Sequence, residues 1–541
     1  LTKLIFRLPC NVFLKFVNFV LQFKIFQSIS GSLKPFSIRK EYVMDNFSSC
    51  FAKEGALDSI HCVVNAINSP LWDWLVVILL GVGFFFTIST GFVQLRLFGR
   101  SLKEISGSRQ NPNDPHGITA FQAFVTGLAS RVGTGNIAGV ALAISIGGPG
   151  AVFWMWVTAL IGMSSAFAES TLAQLFKVRD KKTGLFRGGP AYYIAHGLNQ
   201  RWLSILFSVS LIICFGFVYN SIQANTIVQA VQSAANLTPA DGVSEVTWNN
   251  YKHGIGTFLV ILTAPIIFGG VKRVARVAEG VVPLMAGIYL LAALYVMITN
   301  ASEIPHVFGL IFNDAFKSKA VEGGFFGGIF SQAMMYGIKR GLYSNEAGQG
   351  SAPNAAAAAD VKHPASQGLI QMLGVFIDTM IVCSCTAFII LLSNVPTGSD
   401  LSGIQLTQAA LESHIGAWAQ QFLAVVLFMF AFTTIVGNYA YAETNIQYLH
   451  SNRFVLAIFR MLVLGFVYFG AIAKVPVVWD MGDLTMGIMA TINLIVIVLM
   501  YKYVLLVLKD YTVKIRMGKK EPEFKLSEHP VLKRKIKSNI W

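Results

Sequence analysis

The sequence predicts an all-α polytopic membrane protein with eleven transmembrane helices, two of them discontinuous, and three observations point there. The 541 residues are 54% hydrophobic and only 13% charged, with a mean hydropathy of +0.59, against roughly 25% charged residues in soluble domains. Apolar runs of about 20 residues, each long enough to cross a hydrocarbon core, recur along the whole length. Two of those runs are interrupted by matching clusters of glycine and polar residues. No ten-residue alternating segments suggest a barrel.

The elements follow in order. Spans are read over about 71–97, 118–146, 150–177, 202–234, 253–270, 276–299, 324–359, 369–392, 416–444, 454–474 and 483–507. The first span is followed by Arg96, Arg100, Lys103 and Arg109, the third by Lys177, Arg179, Lys181, Lys182 and Arg187, and the fifth by Lys272, Arg273 and Arg276. The intervening loops are poor in Lys and Arg. This alternation, with a strongly basic tail over 508–541, predicts that these loops and the C-terminus are cytoplasmic and that 44–70 lies outside. The net charge of +15 therefore reports topology rather than a nucleic-acid face. Residues 1–43 carry seven Lys or Arg and precede the first methionine, Met44. A basic segment on the outside breaks the pattern, so 1–43 is expected to be an over-extended start or disordered, with a membrane-associated helix over about 4–27 as the alternative.

Shifting the chain by 209 residues lays `FQAFVTGLASRVGTGNIAGVALA` over `FSQAMMYGIKRGLYSNEAGQGSA`. The identities are Phe121/Phe330, Arg131/Arg340, Asn136/Asn345, Ala138/Ala347, Gly139/Gly348 and Ala143/Ala352. The two segments are spans two and seven, an odd number apart, so the copies enter the membrane from opposite sides. That is an inverted repeat, here 118–299 against 324–507. Broken helices at matching places in two such halves mark a transporter's binding site.

`GTGNIAG` (133–139) imitates a dinucleotide fingerprint but lacks the preceding strand and the acidic partner. Packing through small residues explains Gly139 and Ala143 but not Arg131, Thr134 and Asn136 close by. An unwound turn explains all of them: freed amides bind a carboxylate and freed carbonyls a cation. `RGLYSNEAGQGSAP` (340–353) repeats the device, with Gly341, Gly348, Gly350 and Pro353 interrupting the helix around Tyr343, Ser344 and Asn345. Glu346 reads as a charge capping backbone amides at the helix mouth, or as part of the site. Arg131 and Arg340 read as gates or as anchors reaching a half-helix end. In span four, Gln223 beside Asn220 and Asn225 is a candidate substrate contact, or an interhelical hydrogen bond. In span nine, Thr433 and Thr434 form a hard-oxygen ion site, or bond back to their own helix. Glu169 and Asp378 are intramembrane carboxylates and candidate proton carriers.

No Walker motif, nucleophile elbow or His-rich cluster appears, so neither an ATP-driven pump nor an enzyme is expected, nor any cofactor. The six cysteines, Cys10, Cys50, Cys62, Cys214, Cys383 and Cys385, show neither zinc nor framework spacing and are read as small buried hydrophobes.

On `GTGNIAGVALAISIGGPGAVFWMW` (133–156), `RGLYSNEAGQGSAP` (340–353) and `GVFIDTMIVCSCTA` (374–387), the chain resembles the alanine or glycine:cation symporter family over about 70–507. The resemblance implies a leucine-transporter-like fold of two inverted five-helix repeats, with span one outside them. It implies a sodium site of the Ala129 and Val132 carbonyls with the Thr433 and Thr434 hydroxyls, beside Asn136. It also implies a substrate pocket of Thr134, Gly135, Gln223, Tyr343, Asn345 and Asn438. Asn438 stands where several family members place tryptophan, which widens the expected substrates from alanine and glycine to serine or glutamine.

The expected activity is sodium-coupled import of small neutral amino acids by alternating access, in a bacterial inner membrane and with no protein partner required. Rivals are proton coupling through Asp378 or Glu169, and, further off, a channel.

Overall fold

The computed structural model describes residues 50, 56–107, 118–180, 184–237, 242–317, 331–397, 401, 403–536 and 540–541. The expectation for residues 1–43 lies outside them. Two units divide the chain, 1–66 and 67–541. In the first, Cys50 and Cys62 form a disulfide. This corrects the reading of Cys50 and Cys62 as small buried hydrophobes, since one bridge across a separation of 12 residues has no spacing signature; Cys10 lies outside the described residues. Cys214, Cys383 and Cys385 are free and buried, as expected.

The remainder is helical apart from a two-stranded hairpin. The helices are α1 (Ala56–Ser89), α2 (Phe98–Ser106), α3 (Ala120–Arg131), α4 (Val140–Gly147), α5 (Gly150–Leu175), α6 (Arg201–Ala234), α7 (Glu245–Phe268), α8 (Val271–Thr299) and α9 (Ile304–Ala315). They continue with α10 (Gln332–Asn345), α11 (Pro353–Ala358), α12 (Pro364–Leu391), α13 (Ile404–Ile415), α14 (Ala419–Leu449), α15 (Arg453–Ile472), α16 (Val475–Leu499) and α17 (Tyr501–Arg516). The hairpin strands β1 (Val178–Arg179) and β2 (Phe186–Arg187) lie between α5 and α6. Among the described residues nine helices are long and apolar enough to cross a membrane. The two other expected spans, 118–146 and 324–359, are the ones that break, into α3/α4 and α10/α11.

Both broken helices start where the sequence provides a cap. Thr119 Oγ1 accepts from the Gln122 amide at 3.0 Å while Gln122 Oε1 accepts from the Thr119 amide at 3.2 Å, a reciprocal capping box. Ser331 Oγ accepts from the Met334 amide at 3.1 Å. α5 packs along both α10 and α12, and α14 packs against α3 and α6, so the breaks sit inside a bundle. At the end carrying the basic loops, a parallel bridge pairs Ile118 with Ala359, and the Asp360 amide donates to the Ile118 carbonyl at 3.0 Å.

The second break departs from the repeat register. The shift of 209 sets Gly133 over Leu342, but α10 stays helical to Asn345 and unwinds only from Glu346. Gly341 does not interrupt the helix: a Cβ there would lie 3.3 Å from the Met155 Cα, so this glycine serves close packing on α5.

The basic tail folds back onto this end of the bundle. The Phe524 amide donates to the Lys362 carbonyl at 2.9 Å, and the Lys177 ammonium lies 4.7 Å from the Trp541 ring centre. Asp510 holds His363 at 3.0 Å, His529 at 3.1 Å and Lys514 at 2.9 Å. Lys514 also reaches Glu528 at 2.8 Å, so an ammonium already occupies the centre of this acidic group. Burial pushes the Asp510 carboxyl up, but the His363 and Lys514 hydrogen bonds outweigh it and hold it at about 2. A depressed carboxylate adds stability above its unfolded pKa of roughly 3.9, lost as pH falls toward the folded value. The Asp510 carboxylate therefore stays ionised through the neutral range, and Asp510→Asn should loosen tail docking. Faster tryptic cleavage at Lys519 and Lys520 in that variant is the expected readout; an unchanged cleavage rate would show the cluster does not hold the tail.

Candidate substrate and ion site

At the first break Val132 is extended (φ −78°, ψ 91°), and a π-turn over Gly135–Gly139 follows. Polar side chains take up the backbone groups that unwinding frees, as hydrocarbon depth requires. Asn136 Oδ1 accepts from the Gly133 amide at 2.8 Å, and Gln223 Oε1 accepts from the Thr134 amide at 3.1 Å. The Thr434 hydroxyl donates to the Ala129 carbonyl at 2.9 Å and contacts the Val132 carbonyl at 3.3 Å. Gly133 permits this approach, since a Cβ there would stand 2.3 Å from Thr434 Oγ1.

The second break turns on Glu346 (φ 59°), Gly348 (φ 84°) and Gly350 (φ 83°). Positive φ suits glycine and is uncommon for glutamate. Glu169 holds this turn: its carboxylate accepts from the Gly348 amide at 3.2 Å, the Gly350 amide at 3.0 Å and Asn493 Nδ2 at 2.7 Å. Asn345 Oδ1 accepts from the Ala347 amide at 3.0 Å. The two breaks adjoin, for a Cβ on Gly135 would lie 2.9 Å from Tyr343 Cδ1 and 3.2 Å from the Ser344 Cα.

Asp378 joins them. Its carboxylate accepts from Asn136 Nδ2 at 2.6 Å on one broken helix and from Ser344 Oγ at 2.8 Å on the other, with Thr379 Oγ1 at 2.9 Å. The Tyr343 hydroxyl is 3.4 Å from Thr134 Oγ1 and accepts from Gln223 Nε2 at 3.3 Å. Its ring lies between Tyr219 (4.7 Å) and Trp479 (5.1 Å). One turn away along α10, Arg340 pairs with Asp483 at 2.7 Å and sits 4.8 Å from the Trp479 ring centre. At the basic-loop end, a cavity of about 520 Å³ runs between Ile118, Arg187, Asn354, Tyr441 and Glu443.

Thr134, Gly135, Gln223 and Tyr343 are thus brought together, and Thr434 meets the Ala129 and Val132 carbonyls. Thr433 does otherwise: its hydroxyl bonds back to the Met429 and Phe430 carbonyls at 3.0 and 2.9 Å. Asn438 accepts from Ser130 Oγ at 2.7 Å and donates to Asn220 at 3.2 Å. Arg131 is buried, donates to Gln371 Oε1 at 3.1 Å and does not reach outward. Glu346 Oε1 lies 2.7 Å from Ser130 Oγ, and its other oxygen accepts from the Ser351 hydroxyl at 2.6 Å, so Glu169 rather than Glu346 caps the freed amides. Sequence reasoning missed Ser130, Gln371, Trp479, Asp483 and Asn493. Asp483 alone carried a signal, as a charge within an apolar span.

Known proteins resemble this chain over most of its length. The profile of the sodium:alanine symporter family matches residues 57–526. Three proteins of Bacillus subtilis are similar along nearly their whole length. The amino-acid carrier protein AlsT is 49% identical over 87% of this chain and 96% of its own. The probable sodium/glutamine symporter GlnT is 46% identical over 85% and 92%. The putative sodium/proton-dependent alanine carrier protein YrbD is 44% identical over 84% and 93%. This chain belongs to the sodium:alanine symporter family: it is a membrane transporter, not an enzyme.

Proposed function

We propose that the chain is a sodium-coupled symporter that imports small neutral amino acids by alternating access across a bacterial inner membrane. The observation that carries this reading is the junction of the two breaks, where the Thr434 hydroxyl meets two freed carbonyls beside the Thr134–Tyr343 group. Sodium, as cargo, binds the Ala129 and Val132 carbonyls with Thr434, flanked by Asn136 and Thr433. The amino acid binds between the breaks, its carboxylate at the Thr134 and Gly135 amides, with Gln223, Tyr343, Asn345 and Asn438 around it. Sodium couples to substrate because each favours the same conformer, and a ligand shifts conformers only through differential affinity. The Arg340–Asp483 pair is the closed gate on one face, and the cavity at Tyr441 the open path on the other. Eleven crossings, ten of them in two inverted five-helix repeats, complete the reading. The basic loops face the cytoplasm, and a disulfide at Cys50–Cys62 suits the oxidising outer side.

The test is uptake of labelled alanine, glycine, serine and glutamine into proteoliposomes with and without a sodium gradient. Sodium-driven accumulation supports the proposal; uptake indifferent to sodium defeats it. Asn438→Trp should narrow the range, weakening competition by serine and glutamine about tenfold relative to alanine, roughly 1.4 kcal/mol. An unchanged ranking of competitors would remove Asn438 from the pocket.

A second reading adds proton coupling, since one relative is described as sodium/proton-dependent. Asp378 and Glu169, the carboxylates expected to serve it, each accept three hydrogen bonds.

A further inference from the structure

The hydrogen bonds around Ser130 contain one proton too few. Ser130 Oγ lies 2.7 Å from Glu346 Oε1 and 2.7 Å from Asn438 Oδ1. Both separations are those of full O–H···O bonds, typically about 2.7–2.8 Å, yet a serine hydroxyl has one hydrogen. The Asn438 amide cannot be turned to supply the second. Its Nδ2 donates to Asn220 Oδ1 at 3.2 Å, and Asn220 is fixed in turn because its own Nδ2 donates to the Gly216 carbonyl at 3.0 Å. Asn438 therefore presents an oxygen to Ser130. The missing hydrogen belongs on the carboxyl: Glu346 Oε1–H donates to Ser130, Ser130 donates to Asn438, and the other oxygen accepts from Ser351 at 2.6 Å.

We infer that Glu346 is a protonated acid in this conformation and is the proton-binding group of the carrier, exchanging its proton through the cavity at Tyr441. Glu346 is buried and has no ion pair among the described residues. The charged and titratable groups facing it are Arg131 on α3, Asp378 on α12, Tyr441 on α14, and Cys214 and Tyr219 on α6. Tyr441 lines the cavity, and its buried hydroxyl is directed at Ser130. It stands one turn from Asn438, a relay between solvent and the Ser130–Glu346 pair. Glu346 also occupies a left-handed backbone conformation at the second break, so its side chain reports on the turn that must rearrange. Losing the proton would turn the Ser130 hydroxyl to the carboxylate and leave its oxygen against Asn438 Oδ1, and the contact between α3 and α14 at that point would open.

The inference rests on the symport reading only in its transport arm. Infrared spectroscopy of the purified, ligand-free protein at neutral pH tests the proton directly. Glu346→Gln keeps a donor toward Ser130 and an acceptor toward Ser351, and should remove one carboxylic-acid C=O band present in the wild type. Asn438→Leu abolishes the competing acceptor and should reduce the same band, a check that stands if Glu346→Gln fails to fold. Loss of a carboxylate band instead, or an acid region unchanged in both variants, overturns the proposal. In proteoliposomes with a trapped pH dye, substrate uptake by the wild type should move protons, and Glu346→Gln should abolish that movement. Proton movement equal to wild type in the variant also overturns it. Wild-type uptake that ignores sodium would count against the symport reading instead, leaving the infrared result to decide the proton.

Discussion

Thr434→Ala should raise the sodium concentration for half-maximal uptake by about 10- to 100-fold while leaving expression intact. The threonine hydroxyl stands 2.9 Å from the Ala129 carbonyl and 3.3 Å from that of Val132, so its removal deletes one of the three oxygens of the proposed sodium site. Polar contacts to a charged group contribute roughly 1.5–3 kcal/mol, and about 1.4 kcal/mol is tenfold in affinity. Thr434→Ser keeps the oxygen and should stay near wild type. The neighbouring Thr433→Ala is the internal control: its hydroxyl is bonded to the Met429 and Phe430 carbonyls, so its sodium response should change far less. Sodium titration of uptake distinguishes the three. An unaltered requirement in Thr434→Ala would take this residue out of the ion site.

The second large effect is expected on folding. Glu169→Leu leaves the Gly348 and Gly350 amides and Asn493 Nδ2 facing a methyl group. A buried donor stripped of its partner costs roughly 1–3 kcal/mol, so three of them approach the whole stability of many folded domains, about 5–15 kcal/mol. The variant should aggregate or lose the monodisperse peak on size exclusion, and its thermal transition should fall well below wild type. Glu169→Gln retains one acceptor oxygen and should fall in between. A Glu169→Leu protein as heat-resistant as wild type would show that the second turn is held by something other than this carboxylate.

The sequence carried the two interruptions because glycine and polar residues in an apolar run have few structural explanations. It also carried the Thr434 contact, through the resemblance. Less legible was everything supplied from a distance. Ser130 meets Glu346 across 216 residues of chain, and Glu169 reaches the Gly350 amide across 181; no local period announces such pairs. Glu346 illustrates the difficulty. A carboxylate beside a helix mouth is a good amide cap, but two carboxylates competed for that role and only packing decided between them. Gly341 failed for the opposite reason: a glycine that breaks a helix and one that lets α5 come near look alike in a string of letters. The tail reads as a solvated basic run, and its anchorage depends on His363 and Lys362, residues more than 140 positions earlier.

The bridge between Ile118 and Ala359 has a mechanical implication. It fastens the foot of one interrupted helix to the foot of the other, and Lys177 and Gln174 clamp the same Ala359 carbonyl at 2.9 and 3.0 Å. Elements from opposite halves of the polypeptide therefore share one footing, and neither can swing at that end without dragging its counterpart. On the proposed function, the rotation that carries cargo across is taken up as torsion at the unwound turns, and the loading point is also the pivot.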